Sequence, residues 1–231
     1  LLERYFASFV ASGFMPQPQR RGDTAAPMRR SLADRVGTLL GPGNVASIER
    51  CAREGIISEL TSWRDGGASG LFRIQLAEGS RTAVIKAKAH DATVVDVATT
   101  VAALCSPRLG AAFEQFSDHL GIVGSCEREQ AIYRQRDEPF CRHAPRVLAV
   151  ADGLIALEDL RGMRLLDSAD GQSADHASSW RHEDVIVALE GLGELHAIWY
   201  GRQDELVETG WLGPYATTAR MLEAKDLWLA L

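Results

Sequence analysis

The chain of 231 residues is long enough for one large domain or two small ones, each with a real core. A hydrophobic fraction of 46% with 24% charged residues is that of an ordinary soluble globular protein, and the formal charge of -6 argues against nucleic acid as a partner, because a nucleic-acid binder shows a basic face. No apolar run approaches the ~20 residues of a spanning helix, so no membrane partner is expected. Cys51, Cys105, Cys126 and Cys141 form neither a C-x-x-C pair nor a zinc-binding spacing, which points to reduced thiols in a cytoplasmic protein.

Leu1 to Val10 reads as a short amphipathic helix, and Leu1 to Met15 lacks the basic leading region and cleavage site of a secretory signal. Pro16, Pro18, Gly22 and Pro27 among Arg20, Arg21, Arg29 and Arg30 then make a basic, breaker-rich linker. Leu32, Val36, Leu39 and Leu40 recur at helical spacing and stop at Gly41-Pro42-Gly43, which predicts a helix ending there. Asn44 is placed to cap a second short helix through about Ala52, burying Val45 and Ile48.

Strands are expected next. Ile56 to Trp63 is rich in β-branched and apolar residues, and Phe72, Ile74 and Leu76 alternate with Arg73 and Gln75. After the turn Ala77-Glu78-Gly79-Ser80 comes Arg81 to Lys88, completing three consecutive antiparallel strands. In this last strand Val84, Lys86 and Lys88 share one face and Ala83, Ile85 and Ala87 the other. The two lysines are either solvated on an outer face or turned into a cleft, where a strand lysine can hold phosphate groups. Gly66, Gly67, Ala68, Ser69 and Gly70 fall between the first two expected strands. Glycines there remove side chains from the turn and let backbone N–H groups approach an anion, although turn chemistry alone describes an ordinary hairpin loop equally well.

Val94 to Leu104 has helical periodicity and is broken at Ser106-Pro107. Cys126 to Tyr133 is a further helix in which Glu129 and Tyr133 share a face. From spacing alone Glu129 reads either as the partner of a strand lysine or as one more solvated acid beside Glu127 and Glu138. Val147 to Val150 and Leu154 to Leu157 are short strands about the turn Ala151-Asp152-Gly153, and the second runs into the polar link Glu158-Asp159-Leu160-Arg161-Gly162. Leu166 to Trp180 reads as a loop. Glu183 to Tyr200 is a helix with an apolar stripe of Val185, Ala188, Leu189, Leu192, Leu195 and Trp199, beside which His196 is expected as a packed core histidine. Leu212-Gly213-Pro214 interrupts the chain, and Thr217 to Leu231 restarts a helix.

In this order the parts resemble the aminoglycoside phosphotransferase and choline kinase-like superfamily of small-molecule kinases. The residues that carry the resemblance are G-G-A-S-G at Gly66 to Gly70, V-I-K ending at Lys86, E-Q-A-I-Y from Glu129, L-E-D-L at Leu157 to Leu160, and G-E-L-H-A-I-W-Y from Gly193 to Tyr200. The match covers roughly Ile56 to Leu212. It implies an α+β, protein kinase-like bilobal fold: an N-terminal extension and linker over 1–50, an antiparallel-sheet lobe over 51–160, and over 161–231 the beginning of an incomplete helical lobe. It further implies ATP with Mg²⁺ as cofactors and a small-molecule hydroxyl as acceptor. Lys86 would contact the α- and β-phosphates, Glu129 would pair with Lys86, Gly66 to Gly70 would cover the phosphates, and Leu157 with the backbone of Glu158, Asp159 and Leu160 would hold adenine. Lys88 lies on the face of Lys86, and the choice between them rests on the resemblance.

One departure is large. The family places an H-G-D-x-x-x-x-N loop and a later metal-binding Asp beyond its L-H-A helix, and neither is present. The one asparagine in the chain is Asn44, and His182-Glu183-Asp184 lies before the helix. Phosphoryl transfer needs an orienting acid and a metal site. The expectation is therefore an ATP-dependent phosphotransferase in its intact form, the chain as given not turning over by itself, with a nucleotide-binding pseudokinase or a regulatory or interaction domain as the alternative. Its stripe at Glu183 to Tyr200 and the segment after Thr217 are expected to lack packing neighbours.

Overall fold

The computed structural model describes residues 31–51, 56–77, 81–160, 181–212 and 222–229. The basic linker, the loop of 161–180 and most of the final segment lie outside the described residues.

The fold is α+β, built on a five-stranded antiparallel sheet in the order Val45–Arg50, Gly70–Leu76, Thr82–Ala87, Leu154–Glu158, Val147–Ala151. Helix α1 (Leu32–Leu40) opens with Ser31, whose Oγ accepts from the Asp34 amide at 3.1 Å while Asp34 returns a bond to the Ser31 amide. Strand β1 (Val45–Arg50) follows. This corrects the expected helix through Ala52. Asn44 caps backwards instead, donating from Nδ2 to the Leu40 carbonyl at 2.7 Å, and so closes α1 instead of opening a new helix. The sheet accordingly begins at Val45, ahead of residue 51.

Ile56–Arg64 is a helix, α2, and not the expected strand. Ile57 and Leu60, one helical turn apart, pack against Val97 and Val101 of the later helix, a partner that only the tertiary fold supplies. The three strands foreseen therefore become β1, β2 (Gly70–Leu76) and β3 (Thr82–Ala87), with α2 inserted between the first two.

After β3 the chain forms α3 (Asp91–Cys105), α4 (Pro107–Phe116), a single 3₁₀ turn at Ser117–His119, α5 (Ser125–Tyr133) and α6 (Glu138–His143). Strands β4 (Val147–Ala151) and β5 (Leu154–Glu158) complete the sheet, followed by α7 (His182–Ala197), α8 (Gln203–Glu208) and α9 (Lys225–Trp228). Pro107 at the first position of α4 fits a site where its missing N–H costs nothing. Helices α3 and α4 cross closely: a Cβ at Gly110 would stand 2.5 Å from the Cβ of Ala103.

One face of the sheet holds the main core. Phe72, Ile74, Ala83, Ile85, Ala87, Leu154 and Ala156 bury there against Val36 of α1, as the alternation in β2 and β3 requires. The opposite face carries Arg73, Val84, Lys86, Ile155 and Leu157, which the register sets side by side: Val84 opposite Arg73 and Leu157, Lys86 opposite Ile155.

Two expectations about the later helices need correction. Ala224 and Leu227 are buried against Ala112 and Phe116 of α4, so part of the final segment does find packing neighbours. His196 is exposed and is not a core histidine. In the stripe expected over Glu183 to Tyr200, Val185, Leu189 and Leu192 are exposed as expected, whereas Leu195 and Trp199 are half-buried. No helix among the described residues is long and apolar enough to cross a membrane.

Candidate functional site

Lys86 sits on β3, the central strand, and its ammonium donates to Oε1 of Glu129 on α5 at 2.5 Å. Lys88, just beyond β3, reaches the other oxygen, Oε2, at 2.9 Å. The sequence-based pairing of Lys86 with Glu129 is thus present in space. The second lysine was legible only as a residue on the same face.

Both sides of this triad are fixed by backbone. The Lys88 amide donates to the Gly153 carbonyl at 2.8 Å in the β4–β5 turn, and Arg35 of α1 donates to the Asp152 carbonyl of that turn at 2.8 Å. Three residues past Lys88, Asp91 accepts from the Gly124 amide at 2.5 Å and from Ser125 Oγ at 3.2 Å. A carboxylate at the N-terminus of α5 is electrostatically favoured and ties the helix bearing Glu129 to the stretch bearing both lysines. Asp91 was missed in the sequence because an acid in a first helical turn ordinarily serves its own helix.

Side-chain exposures of 38% for Lys86, 23% for Lys88 and 19% for Glu129 put the triad half inside the protein. Burial opposes the ionisation of Glu129, yet hydrogen bonds from Lys86 and Lys88 and the charges behind them outweigh it and hold the carboxyl below its ordinary range. One turn on, burial and then the Glu129 charge push the Tyr133 phenol up. Burial also raises the Cys126 thiol, which accepts from Gln130 Nε2 at 3.1 Å, so this cysteine is not an activated nucleophile.

The glycine segment is not the turn of a strand pair. It closes α2: the amides of Gly66 and Gly67 donate to the carbonyls of Trp63 and Ser62 at 3.2 and 2.8 Å, and Ala68 to Asp65 at 3.4 Å. Gly66 and Gly67 have φ of 67° and 81°, the left-handed conformation of helix C-termini. Three amides expected to face an anion are therefore engaged within the loop. Ser69 is buried, and its carbonyl accepts from Ser62 Oγ at 2.7 Å and Arg50 Nη1 at 3.1 Å. Gly70 opens β2 opposite Ala87, which brings the segment to the end of β3 where Lys86 and Lys88 lie.

Leu157 is buried on the face of Lys86. Glu158 is engaged with β4: its amide donates to the Arg146 carbonyl at 2.9 Å and its Oε1 accepts from the Arg146 amide at 2.7 Å. Asp159 turns its carboxylate onto the sheet and Leu160 is exposed. Among the described residues no group of three His, Cys, Asp or Glu side chains could hold a metal ion.

Comparison with protein-family models, with curated proteins and with solved structures returns no match for this chain.

Proposed function

We propose that the protein is a nucleotide-binding member of the small-molecule kinases, an ATP-dependent phosphotransferase acting on a hydroxyl group. The observation that carries the reading is the Lys86–Glu129 pair, which joins the central strand to a following helix on the face that also presents Leu157. A lysine so held is pre-organised for phosphate oxygens, and the strand-lysine to helix-glutamate pair is the arrangement on which protein kinases depend. Leu157 and the link after β5 supply an apolar wall and a backbone edge of the kind adenine needs.

The fit is partial. The lysine and the wall suit a nucleotide, whereas no cluster of three His, Cys, Asp or Glu side chains among the described residues is placed to hold Mg²⁺. The sequence also lacks an H-G-D-x-x-x-x-N pattern, so the role assigned to this polypeptide is to bind and orient ATP. That same lack favours one second reading, a nucleotide-binding module that regulates without transferring phosphate.

The test is calorimetric titration of the 231-residue chain with ATP. Binding is expected, and Lys86→Met is expected to weaken it tenfold to hundredfold, the equivalent of a charge-assisted hydrogen bond of about 1.5–3 kcal/mol. Undiminished binding by a folded Lys86→Met protein would remove the central argument.

A further inference from the structure

Resting on that reading, we propose that Lys86 and Lys88 together form a two-pronged site for successive phosphate groups of a linear polyphosphate, with Glu129 as the spacer that holds the prongs apart. The ammonium groups take one oxygen each of a single carboxylate, so they straddle it instead of sharing one contact. Two positive charges face one negative, and the site is left with a positive charge over in a half-buried position. A charge held partly out of water calls for a counter-ion, and each ammonium has three N–H donors of which Glu129 takes one.

Among the described residues no acid besides Glu129 makes an ion pair with either ammonium. Asp91 is engaged by the Gly124 amide and Ser125 Oγ, and the Cys126 thiol is held neutral by burial. Nor is Lys88 a loose surface arm: its amide is tied to the Gly153 carbonyl, and its side chain is less exposed than that of Lys86. Two ammonium groups standing side by side on one carboxylate can each meet one of two adjacent anionic groups. This distinguishes the site from one built on Lys86 alone.

The probe is inorganic tripolyphosphate, titrated beside ATP at low salt into the wild-type chain and into Lys86→Gln, Lys88→Gln, Lys88→Arg, Glu129→Gln and, as a control on the exposed surface of α4, Arg108→Gln. Thermal melting of each variant shows that it is folded. Wild type should bind tripolyphosphate. Lys86→Gln and Lys88→Gln should each weaken it about tenfold or more, and Lys88→Arg and Arg108→Gln should leave it near wild type. Glu129→Gln should weaken it, because the carboxylate that takes one contact from each ammonium no longer holds the prongs in place; binding tightened by Glu129→Gln would overturn the spacer role.

Failures separate cleanly. Tripolyphosphate and ATP binding unchanged in Lys88→Gln overturns the second prong and leaves the nucleotide reading in place. ATP no tighter than tripolyphosphate supports the two-pronged site and overturns the adenine part of the reading. Binding of neither ligand overturns both.

Discussion

Asp159, in the link that leaves β5, is anchored on the sheet by Arg73, whose Nε donates to its Oδ2 at 2.8 Å from β2, the strand on the far side of β3. Thr82 Oγ1 of β3 donates to the same oxygen at 2.7 Å. The carboxylate side chain is only 5% exposed, so three segments distant in sequence meet at one buried oxygen. Asp159→Ala should destabilise the fold by about 1.5–3 kcal/mol, toward the lower end because Arg73 is partly open to solvent. Denaturant unfolding measures it. A loss below about 0.5 kcal/mol would show that the link is not held by this contact. Thr82→Val, which removes one of these donors, should cost less than Asp159→Ala.

The pairing of Glu129 has a pH signature. Its folded carboxyl titrates below the ordinary range, so the ionised form is favoured by folding. The stabilisation is fully present above the unfolded carboxylate value of about 4.3 and is lost as pH falls through the lower, folded value. The stability difference between wild type and Glu129→Gln should therefore be constant above about pH 5 and shrink steadily in more acid solution. Melting curves collected across that range test it, and a difference that grows toward acid would reverse the assignment.

Much of the site was legible because strand alternation is a strict rule. Once Arg81 to Lys88 is read as a strand, Ala83, Ile85 and Ala87 must share a face, and all three are buried. Lys86 is thereby sent to the other face, where Glu129 lies. Ile56 to Trp63 reads as a strand on β-branched composition, which is a weak local signal, and what makes it helical is the contact of Ile57 and Leu60 with Val97 and Val101. Val45–Arg50 failed for the opposite reason: a six-residue edge strand is too short to establish a period, and Val45 and Ile48 fit a helical spacing equally well. Helix α4 is not legible because the Ser106-Pro107 step that opens it reads as a break, and α6 is only six residues long.

Gly67 separates a helix cap from a phosphate cradle. Its φ of 81° penalises any Cβ, although the space around it is open. Gly67→Ala should therefore cost about 1–2 kcal/mol through backbone conformation alone. Because its amide is engaged by the Ser62 carbonyl, ATP affinity should change less than twofold, about 0.4 kcal/mol. A large loss of affinity with little loss of stability would return the loop to the role the sequence suggested.

The last prediction contrasts two apolar residues that a periodicity argument treats alike. Ile85 lies on β3 with 0% exposure, packed among Phe72, Ile74, Leu154 and Val36. Leu189 lies on α7 with 62% exposure, on the stripe that the sequence presents as an inward face. Truncating Ile85 removes buried methyl groups and leaves a cavity that a strand in the middle of a sheet closes poorly, so Ile85→Ala should cost about 2–5 kcal/mol. Leu189→Gln removes little buried surface and should stay within about 0.5 kcal/mol of wild type. The exposed stripe should nevertheless show itself in association, because contiguous apolar surface on a helix drives self-contact in water. Sedimentation of the wild type against the paired variant Leu189→Gln with Leu192→Gln should reveal fewer oligomers in the variant at equal stability. A stability loss from Leu189→Gln comparable to that of Ile85→Ala would mean that α7 is packed in solution on a surface these contacts do not include.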